Sequence, residues 1–570
     1  MRKAILLVKE LPHPASPYKG EERKTDKTFE RCSRPGHTHF WCAPEFLETR
    51  ARFGMIFPEL KLGASQTMKW DVRKADALCS TLKIGLLLLL ASGWISCSGS
   101  GEVEMAGSAP PAAAAEREHP NVLLVSIDSL RADHLHCYGY PRKTSPNIDL
   151  LAAEGVVFET CVAPTSWTLP SHITLLTGLP PVKHGINHSR AALSPDAVLL
   201  AEVFQDAGYA TAGFVSGPLL DGSYGFAQGF DHYDDYTIVR RNAKSHAMVT
   251  SPQLRRITTE WLARWDQDGR KQPFFIFLHM WDVHYDYRPP GPYNRMFDPD
   301  YQGTITSWNF MRNRRIHPDM DREDLRHIIA LYDGEIRFTD MHLGRLLDKL
   351  MALGEFDNTI IAVTSDHGDE FFEHGNKGHF KTLYEESLLV PLVLRYPKKV
   401  PGGKVIKPIA RLMDVAPTLL SLAEIEIPPQ FGMAEPKANH ADQDLTPLFA
   451  EGASAAALER YAFSELHREL ENIEAIEDVF VPNRDYASVR TARHKLVKNL
   501  MEPDQLELYD LLVDPGERVN LVDENRSLSI QLEKELDLWR ATLQSTGNLA
   551  LQIDLSEEHI EQIRSLGYFE

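Results

Sequence analysis

The hydrophobic pattern of the chain separates into short unbroken apolar runs and longer stretches with a three-to-four-residue repeat. Asn121-Val-Leu-Leu-Val-Ser-Ile127 is an apolar, β-branched run that stops at Asp128. A run of this length without polar alternation is expected of a strand buried on both faces of a parallel sheet. Thr359–Thr364, which ends in Ser365-Asp366-His367, reads the same way, and so does Pro273–Leu278, which leads into His279, Asp282 and His284. Tyr209–Val215 and Leu392–Arg395 are further strand candidates. Helical spacing predicts helices over Leu199–Ala207, Pro252–Gln267, Glu323–Leu353 and Asp414–Leu422. Strands alternating with helices predict an α/β fold, a large, mostly parallel β-sheet sandwiched by helices. Ligands of such sheets collect at the carboxyl ends of the strands, where these polar clusters lie.

The texture changes after about residue 425. The stretches 486–499 and 506–511 read as antiparallel strand pieces, and Glu524–Gln544 and Glu557–Ser565 as helices. A smaller C-terminal α+β subdomain is expected there, and no repeat of 20–50 residues recurs along the chain. The expected division is a main domain over 119–425, a linker over 426–454, a subdomain over 455–545 and a tail over 546–570.

The front of the chain is different material. Ile84–Ile95 (IGLLLLLASGWI) is apolar but only 12 residues long, short of the ~20 that a membrane-spanning helix needs. Lys69, Arg73, Lys74 and Lys83 precede it, and Ser96-Cys97-Ser98-Gly99-Ser100 follows. A basic start, a short apolar core and a small-residue boundary describe an export signal over 68–97. Cys97 resembles the acceptor of a bacterial lipoprotein signal, which would tether the protein to a membrane; Trp94 stands where such signals prefer Leu or Val. Met68 is then the expected start, and 1–67 a spurious or disordered leader. Cys32, His37, His39 and Cys42 within that leader fit no common zinc spacing. The Gly, Ser, Ala and Pro of 98–118 read as a flexible tether. The expected location is outside the cytoplasm, in the periplasm or anchored to a membrane.

Charge sharpens this split. The chain carries a net charge of −19. Residues 1–97 hold 16 Lys+Arg and 10 Asp+Glu, a net +6, leaving −25 for the remainder. An acidic body argues against nucleic acid as the partner. Six Cys in 570 residues are too sparse for a disulfide scaffold. Past the signal only Cys137 and Cys161 remain, as one disulfide or as two buried thiols.

The chemistry concentrates at the strand ends. Asp128, Asp366 and His367 suit a divalent metal with mixed oxygen and nitrogen ligands, although a lone Asp there is often only a helix cap. Ala163–Gly178 (APTSWTLPSHITLLTG) adds a helix that Pro170 and Ser171 open, with Thr168 just before it. A hydroxyl at a helix start faces free N–H groups and the positive dipole end, which favours an alkoxide and an anionic ester. An adjacent metal would make that hydroxyl a nucleophile. Trp167 reads as packing, the acidic run Asp366–Glu373 as a solvated loop edge, and the charged face of Glu323–Leu353 as exposed.

Taken together, the motifs resemble the sulfatase family of the alkaline phosphatase superfamily. They are Asn121–Asp128 with Thr144–Asp149, Thr168–Gly178, Lys183–Asn187, Asp282–His284, Thr364–Gly368, Gly378–Pro391, Asp414–Thr418 and Leu508–Glu517. They keep the family's order over roughly 120–520, and Ser565–Tyr568 is also similar. The resemblance implies an ester hydrolase with that fold. Asp128, Asp366 and His367 would bind one divalent metal, Zn, Mn or Ca, with Thr168. His284 and Lys381 would hold the ester oxygens or help the leaving group, and Asn187 and His172 would contact substrate. His379 would act on the leaving group, or join a second metal with Asp282 and His284. The departures from the family are specific. Thr168 replaces the Cys or Ser that the family oxidises to formylglycine, and Thr oxidation would give a ketone. His172 replaces an Arg, Ser129 an Asp, and His367 an Asn, which favours Zn or Mn. The resemblance therefore implies phosphomonoester or phosphodiester cleavage, with sulfate esters as the alternative; the substrate would be a small-molecule, glycan or lipid ester. Two further readings are a phosphoryl-group transferase on envelope lipids or glycans and a non-catalytic binding protein on the same fold.

Overall fold

The computed structural model describes residues 119–235, 249–428, 431, 443–450, 460–467, 485–544 and 549–565. The expected leader, export signal, Cys97 and tether lie outside the described residues.

The apolar runs form an eight-stranded sheet. Its strands are β1 (Asn121–Ile127), β2 (Val156–Phe158), β3 (Ala210–Phe214), β4 (His232–Asp234), β5 (Phe274–Met280), β6 (Thr359–Thr364), β7 (Leu392–Arg395) and β8 (Lys404–Ile406). Their spatial order is β8-β2-β7-β6-β1-β5-β3-β4. β1 pairs in parallel with β5 and β6 and lies near the middle of the sheet, with all seven of its residues buried. β7 runs antiparallel to both β2 and β6, so the sheet is mostly rather than wholly parallel.

Alternation along β1 distributes its side chains to two cores, because successive strand residues point to opposite faces. Val122 and Leu124 pack on one side, with α2 (Thr168–Thr177) and α5 (Val415–Leu422). Leu123, Val125 and Ile127 pack on the other, with α1 (Pro146–Glu154), α3 (Ser251–Gln267) and α4 (Arg322–Ala352). The charged face of α4 is not simply exposed: Asp333, Glu335 and Asp340 are buried. Asp340 caps α1, accepting from the N–H groups of Asn147 and Ile148.

A four-stranded antiparallel sheet follows, built from β9 (Ala462–Leu466), β10 (Tyr486–Arg490), β11 (His494–Asn499) and β12 (Leu506–Asp510). Helix α6 (Arg526–Gln544) covers one face, with Trp539 stacked on Phe463 at 4.5 Å. This sheet is tied to the segment leading into α2 through Ser464, whose hydroxyl donates to Ala163 O at 2.7 Å, four residues before Trp167. Cys137 and Cys161 are free thiols. Among the described residues, no helix is long and apolar enough to cross a membrane.

Candidate active site

Three strand ends and one helix start converge on a single buried cluster. Asp128 follows β1, Asp366 and His367 follow β6, and Thr168 is the first residue of α2, two residues earlier than Pro170 suggested. All four are fully buried. Ligand atoms of Asp128, Asp366 and His367 lie within 4.8 Å of one another. The His367 Nδ1 faces Gly368 O at 3.1 Å, which places the ring proton there. Its Nε2 then presents a lone pair to Thr168 Oγ1 at 3.2 Å, an orientation fixed by the bond at the other ring nitrogen. A bond from the Ser171 hydroxyl to Asp366 O, at 2.7 Å, ties the first turn of α2 to this strand end.

The pair of carboxylates is held apart by small polar groups, not by cations. Ser129, with φ of 56°, donates its N–H to Asp366 Oδ1 at 3.1 Å and its hydroxyl to Asp128 Oδ1 at 2.9 Å. A non-glycine residue in the left-handed region is strained backbone, retained where the surroundings dictate it. Burial, and then Asp366, push the Asp128 carboxyl well above its usual range. Burial also acts to raise Asp366, but neighbouring imidazoles, His367 first, more than offset it and hold that carboxyl low. Two acids that share a site divide in this way because both cannot ionise cheaply. Asp366 Oδ2 is buried, accepts no hydrogen bond, and lies 3.2 Å from His367 Nε2. An orphaned carboxylate oxygen beside an imidazole lone pair and a hydroxyl fits a divalent cation.

A second group of side chains adjoins the first. The His379 ring lies tilted against His367 at 4.2 Å and edge-on to His284 at 5.0 Å. Its Nδ1 bonds Asp369 Oδ1 at 2.6 Å, while the Tyr287 hydroxyl donates to Asp369 Oδ2, also at 2.6 Å. His367, Asp369 and His379 form a second set of potential ligands. Asp282 is not part of it: both of its oxygens accept from Thr250 and Ser251 at the start of α3. Its place among the expected second-metal ligands passes to Asp369. The acidic run is accordingly no solvated edge, since Asp366, Asp369 and Glu370 are fully buried.

Other expected residues fall elsewhere. His172 is fully buried, with Nε2 on Ser126 Oγ and Nδ1 on Thr168 O, both at 2.9 Å. Burial pushes its imidazole down to about 3, so it braces α2 against β1 as a neutral ring rather than facing substrate. Lys381 is half-buried and donates to Lys377 O at 2.7 Å. Asn187 lines a separate cleft of about 680 Å³ with Val182, His188, His467 and Gln552. Trp167 packs on Phe380 at 4.9 Å. His279, which lies inside β5, was not singled out: its Nε2 meets Asp128 Oδ2 at 3.2 Å. A histidine interrupting an otherwise apolar strand was the available signal.

The protein-family model for sulfatases matches residues 120–425. This chain belongs to the sulfatase family. A model of the C-terminal region of N-sulphoglucosamine sulphohydrolase matches residues 373–543. The chain is 25% identical over 486 residues to an N-acetylglucosamine-6-O-sulfatase of Bacteroides thetaiotaomicron, covering 71% of this chain and 83% of that one. It is 28% identical over 367 residues to an arylsulfatase of Clostridium perfringens, covering 54% and 76%. Among solved structures, the phosphonate monoester hydrolase of Agrobacterium radiobacter matches with a TM-score of 0.58 at 24% identity, covering 77% of this chain and 99% of that one. At that identity the structural likeness speaks for the fold alone. Membership makes this chain a sulfatase-family ester hydrolase, a sulfuric or phosphoric ester hydrolase.

Proposed function

We propose that this protein is an exported, metal-dependent hydrolase of anionic esters with Thr168 as nucleophile, and that phosphomonoesters or phosphodiesters are its preferred substrates. The observation that carries the reading is Thr168 at the first position of α2, 3.2 Å from His367 Nε2, beside two buried carboxylates that no Lys or Arg among the described residues pairs with. Asp128, Asp366, His367 and Thr168 would hold a divalent cation, which when bound lowers the pKa of a hydroxyl and offsets charge on an ester oxygen.

The remaining steps belong to the chain's own groups. The N–H groups of the first turn of α2 face the ester's oxygens, a favourable place for a developing anion. Thr168 Oγ1 gives its proton to His379 or His284 as it bonds to phosphorus in line with the leaving oxygen, whose bond breaks. His379 or His284 gives the departing alkoxide a proton. Lys381 supplies positive charge near the transferring group. Water then attacks the Thr168 ester and restores the hydroxyl. The departures at Thr168 and His367 support phosphorus, because Thr cannot become an aldehyde and an added imidazole favours Zn or Mn. Sulfate esters are the second reading, supported by the substrates in the names of the sulfatase relatives.

A panel of p-nitrophenyl phosphate, phosphodiester, phosphonate and sulfate against Zn²⁺, Mn²⁺ and Ca²⁺ tests this reading. The expected result is dominant phosphoester turnover with Zn²⁺ or Mn²⁺. Dominant sulfate turnover with Ca²⁺ overturns it. Export and lipidation at Cys97 are tested by fatty-acid labelling in a bacterial host, with Cys97→Ser expected to lose the label.

A further inference from the structure

We infer that Trp308 and Arg288 form a recognition platform at the rim of the site, which accepts a ring-shaped leaving group carrying a second anionic group. The inference rests on the reading of the Thr168 site as an ester-cleaving centre and names the class of leaving group.

The platform is an anomaly of burial. Among the described residues Trp308 is the most exposed Phe, Tyr or Trp, at 40%. Its ring carries the Arg288 guanidinium at 4.7 Å, and Arg288 is exposed too. Loops held by a rigid scaffold carry a disproportionate share of binding residues.

The pair is fixed relative to the catalytic group. Arg288 directly follows Tyr287, whose hydroxyl bonds Asp369 Oδ2, and Asp369 bonds His379. The Ser307 hydroxyl donates to Tyr287 O, and the Asp286 carboxylate accepts from the N–H groups of Asn309 and Phe310. Phe310 packs on Tyr285 at 5.9 Å, and Tyr285 on His379 at 5.1 Å. Trp308 is thus clamped from both sides, at 307 and 309, onto the segment whose side chains touch the site.

Charge points the same way. From Gln302 to Pro318 the chain has Arg312, Arg314 and Arg315 and no Asp or Glu, in a protein of net charge −19. Cationic side chains on an acidic body attract and orient anions. The flat indole suits the face of a ring, and the planar guanidinium suits a carboxylate, sulfate or phosphate.

The experiment uses calorimetry on the full-length Thr168→Ala protein, which leaves esters intact, with inorganic phosphate, glucose 6-phosphate and glucose 1,6-bisphosphate as probes. The bisphosphate is expected to bind roughly tenfold more tightly than the monophosphate, the equivalent of one charge-assisted contact. Arg288→Gln should remove that advantage. Trp308→Ala should weaken both sugar phosphates, and neither change should alter inorganic phosphate. Both residues are exposed, so neither substitution threatens the fold. Sugar-phosphate binding unchanged in both variants overturns the platform, as does an equal loss for all three probes. Turnover surviving in Thr168→Ala counts against the Thr168 mechanism and leaves the platform standing.

Discussion

Two of the buried acid clusters among the described residues differ in their surroundings. At the junction with the C-terminal sheet, Glu385 meets Arg490 at 3.0 Å and Lys495 at 3.1 Å, and Glu517 meets Lys495 at 2.9 Å. Every acid there has a cationic side chain. At the strand ends, Asp128 and Asp366 are equally buried, but their partners are hydroxyls, amides and imidazoles. A buried carboxylate is tolerated when a fixed cation compensates it. The first cluster contains its own cations and fastens the subdomain. The second leaves the compensating charge to be supplied from outside, which is what separates a site from a brace.

The comparison breaks if the two clusters respond alike to substitution. Thr168→Ala and Asp366→Asn carry the largest effect, an expected loss of at least about 10⁴-fold in kcat for the nucleophile and of bound metal for the ligand. Metal-free Asp128→Asn should melt no lower than the metal-free parent, since it removes a carboxyl that burial and Asp366 push up; calorimetric melts check this. Lys495→Met should do the opposite, costing about 3–5 kcal/mol by stranding Glu517, while Glu385 keeps Arg490. Turnover per folded molecule should not change, as denaturant titration with active-site counting will show.

A third acid sharpens the contrast. Burial pushes Asp340 up to about 7, with no cation outweighing it. A carboxyl raised on folding binds its proton more tightly in the native state. Its contribution is full below the unfolded pKa near 4 and is lost as pH rises through about 7. Asp340→Asn should therefore flatten that decline, by about 2 kcal/mol between pH 5 and 7, in urea titrations at the two pH values. The smallest effect is expected at Cys137 and Cys161. As free thiols they close no loop, so dithiothreitol should leave the melting temperature within about 1 °C.

Much of the architecture was legible. The apolar runs at 121–127, 359–364 and 392–395 became strands over the same residues, because a strand buried on both faces needs no polar alternation. The three-residue strands β2 and β8 carried too short a pattern to read. The gathering of Asp128, Thr168, Asp366 and His367 followed from the rule that such sheets bind at their strand ends. Asp282 was misleading for the opposite reason: a carboxylate near a strand end serves equally well as a helix cap, and sequence spacing does not say which N–H groups lie beneath it. The buried acids of 366–370 read as solvated because a charge run normally is.

By itself, then, the sequence determined the α/β alternation, the donor types at the strand ends and the departures at Thr168 and His367, all of which are local or follow from periodicity. Tertiary structure alone decided that Asp369 rather than Asp282 stands beside His379, that His172 braces α2, and that the acids near Thr168 have no cation while those near Lys495 do. Those choices depend on which distant groups share a small, poorly hydrated volume, and chain spacing does not encode that distance.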